Sequence, residues 1–125
     1  MLLKEAVHQF ANESLDFIYL DSRHDYCAAK EDISNFWPKV KPGGIFAGHD
    51  YISSLDVTGG YEDWGICEDG QRQEGGVKRA VDEFVVRHQL PLSVTYKDTA
   101  GNSWLIRKPG HAAIKTRICD NHDDE

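Results

Sequence analysis

The chain lacks several things, and each absence removes a class of function. No stretch of its 125 residues approaches the run of about 18 apolar residues that a membrane span needs. The opening "MLLKEAVHQF" has an acidic residue at Glu5 and no sustained apolar core followed by small residues, so it does not read as a secretory signal. One soluble, cytoplasmic domain with no membrane partner is the expectation. Positive charge is scarce: Lys and Arg number 14 against 21 Asp and Glu, a net charge of −7. A polyanion such as nucleic acid is therefore excluded as the expected partner. The three cysteines, Cys27, Cys67 and Cys119, are odd in number and widely spread, with no C-x-x-C pair. That pattern argues against a disulfide framework and a cysteine zinc site, and all three read as ordinary thiols.

What the chain does have is alternating periodicity. Leu3, Val7 and Phe10 recur at helical spacing, and "LDFIYLD" follows as an apolar run of the kind found in strands covered on both faces. Ala29, Ile33, Phe36, Trp37 and Val40 then repeat at steps of three and four, with Asp25 placed to cap the helix and Pro38 and "KPGG" to stop it. "GIFAG" reads as a second short buried strand, and Tyr51 to Gly76 as a polar, glycine-punctuated loop. "GGVKRAVDEFVVRHQLP" predicts a third helix, with Val77, Ala80, Val81, Phe84, Val85 and His88 on one face. "SVTYKD" and "SWLIRK" around "TAGN" predict a β-hairpin. Residues 111–125 read as a charged, poorly ordered tail after a domain spanning 1–110.

The triplet His-Asp-Tyr occurs twice, at His24-Asp25-Tyr26 and His49-Asp50-Tyr51, each time closing an apolar run. Strand, helix, strand is a βαβ unit, so Leu15–Leu20 and Gly44–Gly48 are predicted to lie parallel and adjacent, at about 4.8 Å. Their carboxyl ends then share one edge, where open α/β sheets bind ligands. Asp21, His24, His49 and Asp50 are predicted to converge there. Paired carboxylates repel unless a cation sits between them, and a divalent ion such as Mg²⁺ is the usual answer. A histidine three residues beyond one of them could take a proton from a hydroxyl acidified by the metal. Taken singly, these residues also have structural readings: Asp25 as a cap, Asp21 as a strand-end acceptor, His49 as a hydrogen-bonded histidine. Tyr26 and Tyr51 read as core or rim aromatics, and His88 and His111 as a helix-end and a tail histidine.

The ordered set "LDFIYLDSRHDYCAAKEDISNFWPKVKPGGIFAGHDY", then "GVKRAVDEF" and a terminal hairpin, resembles the C-terminal half of class I S-adenosylmethionine-dependent methyltransferases over about residues 1 to 108. It is most similar to the metal-dependent O-methyltransferase-like branch with D-x-x-H-x-Y after the fourth strand and H-D after the fifth. The resemblance implies an α/β, partial Rossmann-like sheet of parallel strands flanked by helices and ending in an antiparallel hairpin. It implies S-adenosylmethionine and Mg²⁺ or another divalent cation as cofactors, and a small-molecule hydroxyl acceptor. Carried onto this sequence, it makes Asp21 and Asp50 metal ligands and His24 the base. His49 becomes a third ligand or a group behind the ligands, although the family usually has an acid or amide there. Asp21, Ser22 and Arg23 are placed against the cofactor.

Nothing like G-x-G occurs before Asp21, so the glycine-rich cofactor turn of the family has no counterpart here, and the isolated chain is expected to bind S-adenosylmethionine weakly or not at all. The leading strand would be an unpaired apolar edge, with homo-oligomer formation through it expected. The segment Ile52 to Glu74, with Tyr61 and Trp64, would be a lid or acceptor-specificity segment. Two other readings stay open: a non-catalytic binding or assembly module, and a non-haem iron oxygenase using His24, His49 and Asp50.

Overall fold

The computed structural model describes residues 3–21, 23–57, 63–95 and 102–110. A short helix α1 (Leu3–Ala6) runs into a 3-10 turn over Val7–Gln9, followed by strand β1 (Leu15–Leu20). Helix α2 (Tyr26–Phe36) and strand β2 (Val40–Tyr51) come next, then α3 (Gly76–His88), β3 (Ser93–Val94) and β4 (Asn102–Arg107). The sheet order is β1-β2-β4-β3, with β1 parallel to β2 and the other two pairings antiparallel. The parallel pair and the closing antiparallel ribbon are thus as the sequence predicts. The turn of the hairpin and the tail from 111 lie outside the described residues. Among those described, no helix is long and apolar enough to cross a membrane.

Alternation along the strands decides which face is covered. Ile18 pairs with Phe46 and Phe46 with Ile106, while Leu20 pairs with Gly48 and Gly48 with Trp104. These inner rows are buried against Tyr26, Ala29, Ile33 and Phe36 of α2 and Val77, Ala80 and Val81 of α3. Phe46 and Trp104 meet edge to face at 5.4 Å, as do Trp37 and Phe46 at the same distance. On the other face Phe17, Tyr19 and Leu105 are exposed. The expectation that β1 is covered on both faces is therefore corrected: the helices lie on one side, and β1 forms an open edge of the sheet.

A second correction concerns "KPGG". It lies inside β2 rather than before it, because β1 advances from Leu15 to Phe17 while β2 advances from its partner Val40 to Ile45. The surplus residues bulge, with Gly43 at φ 85° supplying the left-handed conformation the bend requires. Lys108 stitches the bulge shut by donating from Nζ to the carbonyls of Trp37 (3.1 Å) and Val40 (2.8 Å), and burial pushes its pKa down.

Gly48 has a different necessity. A β-carbon there would come within 2.5–2.7 Å of Cζ2, Cε2 and Nε1 of Trp104, so the indole lies across the missing side chain. Gly48→Ala should cost about 1–3 kcal/mol through overpacking, read as a lower midpoint in urea unfolding. An unchanged midpoint would mean the indole can move aside without loss.

Candidate active site

Because β1 and β2 are parallel, Leu20 and Gly48 stand side by side, and the chain that follows each turns into one cleft. The cleft encloses about 300 Å³ including its open mouth, and Asp21, His24, His49 and Asp50 all line it. Asp50 is at its centre. It is buried, at 6% exposure, and His24 Nε2 lies 3.0 Å from its Oδ2 while His49 Nδ1 lies 2.9 Å from its Oδ1. Its φ of 60° is a left-handed conformation that aspartate tolerates better than most residues, and such outliers gather at functional sites.

The two His-Asp-Tyr triplets divide their labour differently from one another. In the first, Asp25 caps α2 by accepting from the Ala28 amide at 3.0 Å and pairs with Arg23 Nε at 2.8 Å, so it faces away from catalytic work. In the second, Asp50 is the carboxylate offered to the cleft. Both tyrosines anchor α3: Tyr26 donates its hydroxyl to Glu83 and Tyr51 to Asp82, each at 2.5 Å. Arg79 and Lys78, one turn earlier on α3, lie over the same two rings at 3.9 and 5.3 Å. Burial, with the Asp82 hydrogen bond, pushes the Tyr51 hydroxyl above its ordinary pKa, and the Tyr26 hydrogen bond holds Glu83 below the usual carboxylate range. These tyrosines fix the helix behind the site.

The segment after residue 62 meets the site at His24. Trp64 stacks on His24, ring centroids 4.0 Å apart and 13° from parallel. Cys67 is disulfide-bonded to Cys27, which overturns the reading of these two cysteines as ordinary thiols. Their separation of 40 residues gave no spacing signal, and only the fold brings the first turn of α2 beside this segment. Cys119 and Tyr61 lie outside the described residues. Arg72 bridges Asp63 and Glu74, both at 2.6 Å, and Glu74 accepts from Ser54 Oγ at 2.5 Å. These bonds hold the Asp63 and Glu74 carboxyls below their ordinary pKa, so the fastening is complete at neutral pH and fails as pH falls through those lowered values.

The donor set suits a cation. Ligand atoms of Asp21, His24 and Asp50 lie within 4.8 Å of one another, two of them carboxylate oxygens, which fits a hard divalent ion. Of the expected ligands, Asp21 and Asp50 meet here beside His24, the expected base, while His49 Nδ1 lies against the other oxygen of Asp50. Of the residues expected against the cofactor, Asp21 is exposed at the cleft, Arg23 is engaged by Asp25 and by Glu68 at 3.2 Å, and Ser22 lies outside the described residues. Asp25, Cys27 and Cys67 also cluster, but the two sulfurs are spent on each other. Sequence reasoning missed Trp104, which also lines the cleft: its buried indole N–H has no hydrogen-bond partner among the described residues, a donor that an entering oxygen would satisfy. Nothing in "NSWLIR" distinguishes it from a core aromatic.

Comparison with known proteins places these features. A family model described as a methyltransferase domain matches residues 2–51, the stretch that carries β1, α2, β2 and every candidate ligand. No curated protein matches the chain. A crystal structure of a protein from Corynebacterium glutamicum, solved by a structural-genomics consortium, is similar with a TM-score of 0.54 and 15% identity, over 84% of this chain and 44% of that one. The chain thus spans less than half the length of that neighbour. It has a mixed α/β fold shared with that structure, and its first two strands with their crossover helix are similar to a methyltransferase domain.

Proposed function

We propose that this chain supplies the metal-holding and acceptor-activating part of an S-adenosylmethionine-dependent O-methyl transfer to a small hydroxyl compound. The observation that carries the reading is the meeting of Asp21, His24 and Asp50 at one sheet edge, inside the stretch similar to a methyltransferase domain. Asp21 and Asp50 would hold a divalent cation. When bound, the cation would lower the pKa of an acceptor hydroxyl, and S-adenosylmethionine would supply the electrophilic methyl. His24, poised by Asp50 at Nε2, accepts the hydroxyl proton, and Asp50 stabilises the imidazolium that results. His49 holds Asp50 in position from its second oxygen. Trp104 offers its indole N–H to an oxygen in the cleft, and Trp64 covers the His24 ring and shields it from water. Through the exposed edge of β1, with Phe17 and Tyr19 beside it, the same reading expects self-association.

The test is thermal unfolding with and without millimolar Mg²⁺ or Mn²⁺. A cation that binds only the folded state at a hundredfold excess over Kd adds about 2.7 kcal/mol. For a domain of this size the melting temperature should rise by roughly ten degrees. Asp21→Ala or Asp50→Ala should abolish the rise, and His24→Ala should leave it largely intact. A rise given only by a redox-active metal, and lost in both His24→Ala and His49→Ala, would favour the iron-oxygenase reading. Identical curves with and without metal in the unmutated chain would favour a non-catalytic module.

A further inference from the structure

A covalent and an aromatic link join the same two segments in register. Cys27 follows His24 by three residues and Cys67 follows Trp64 by three, the sulfurs are joined, and the rings are stacked. The bridge therefore fixes the distance over which Trp64 can leave His24. Among the described residues, Ser54 holds Glu74 and the Gly75 amide at the segment's far end, Arg79 donates to the Glu74 carbonyl, and Arg72 ties Asp63, beside Trp64, to Glu74. Close to Trp64, the ion pair joining the segment to the start of α2 is Arg23 with Glu68. Its partners are 49% and 78% exposed, which leaves it weak in water. With the sulfurs parted, the described side-chain contacts left at the Trp64 end are the stack, the Arg23–Glu68 pair and the Arg72–Asp63 pair, whose partners are about half exposed.

We propose that the Cys27–Cys67 bridge is a redox latch on the cleft, which keeps Trp64 parked across the ring of His24 when closed and releases it when reduced. This rests on the reading of His24 as the site's base and adds its regulation. The step balances with a dithiol reductant. Its thiolate attacks the sulfur of Cys27, the less buried partner, and Cys67 leaves as thiolate. The reductant's second thiol then displaces Cys27, closing its own disulfide. Two electrons and two protons pass to the protein, which ends with two thiols. Bridges of this kind in a reducing compartment are typically transient and redox-sensing.

The experiment is a proton–nitrogen NMR spectrum of the full chain before and after dithiothreitol, with thiol titration confirming full reduction. The Trp64 indole signal is assigned by its loss in Trp64→Phe. Reduction should shift that signal to the position of a solvated tryptophan while Trp37 and Trp104 keep theirs. Cys27→Ser/Cys67→Ser should reproduce the reduced spectrum, and Cys119→Ser should leave the response intact. A Trp64 signal unmoved by full reduction overturns the latch, and so does collapse of all three indole signals, which would make the bridge a general staple. If the double variant fails to fold, the unmutated chain under dithiothreitol decides alone. Repeating the Mg²⁺ melts in both redox states separates the two readings. Absence of a metal response in either state removes the cation site without touching the latch, whereas a metal response with an immobile Trp64 signal does the reverse.

Discussion

Trp104→Ala should cost the fold about 3–5 kcal/mol. The indole is 2% exposed, sits in the inner row opposite Gly48, and packs edge to face on Phe46 at the centre of the sheet. Removing it leaves a cavity that Gly48, with no side chain of its own, does nothing to fill. Since domains of this size have about 5–15 kcal/mol in total, the variant should unfold at a far lower urea concentration or be partly unfolded in buffer. A loss below about 1 kcal/mol would mean that α2 and α3 collapse onto the sheet without it, contrary to the packing described. Trp104→Phe should retain more of the stability and lose the unpartnered indole N–H, which separates packing from its proposed contact with an oxygen.

The bridge is the second large contributor. Closing a loop across 40 residues removes conformational freedom from the unfolded chain, and chain-entropy arguments put the effect at about 4 kcal/mol. Reduction, or Cys27→Ser/Cys67→Ser, should lower the unfolding free energy by up to that amount, a drop in melting temperature on the order of fifteen degrees. Melts of the oxidised and reduced chain measure it. Coincident curves would mean that the two sulfurs are not joined in solution. A drop of this size is compatible with the latch provided the reduced fold persists at ambient temperature, with its core signals in place.

Much of this was legible in the sequence because it is local. The run Leu15–Leu20, the 3.6-residue spacing from Ala29 to Phe36 and the cap at Asp25 are set by neighbours within a few residues, and the parallel pairing follows from the handedness and length of the crossover. The approach of Asp21 to Asp50 is a consequence of that pairing. What escaped depends on contacts distant in sequence. "KPGG" reads as a turn wherever it occurs, and only the register of β1 shows that it is a bulge within β2. The uncovered face of β1 was hidden because "LDFIYL" is apolar at both alternating sets of positions, so its pattern cannot say that one set faces outward. Trp64 and Cys67 come from a polar segment without period, and their meeting with His24 and Cys27 depends on how that segment packs against α2. His49 was expected as a third ligand or a group behind the ligands, and its Nδ1 lies 2.9 Å from Asp50 Oδ1.

The central claim is that two parallel strand ends build a cation site from Asp21 and Asp50. The most direct measurement is a titration of the purified chain with Mn²⁺, followed by the electron paramagnetic resonance signal of the free ion. The account predicts saturation at one ion per chain, loss of that binding in Asp21→Asn and in Asp50→Asn, and competition by Mg²⁺. No bound Mn²⁺ at millimolar concentration, or one ion per chain that survives both substitutions, would contradict it.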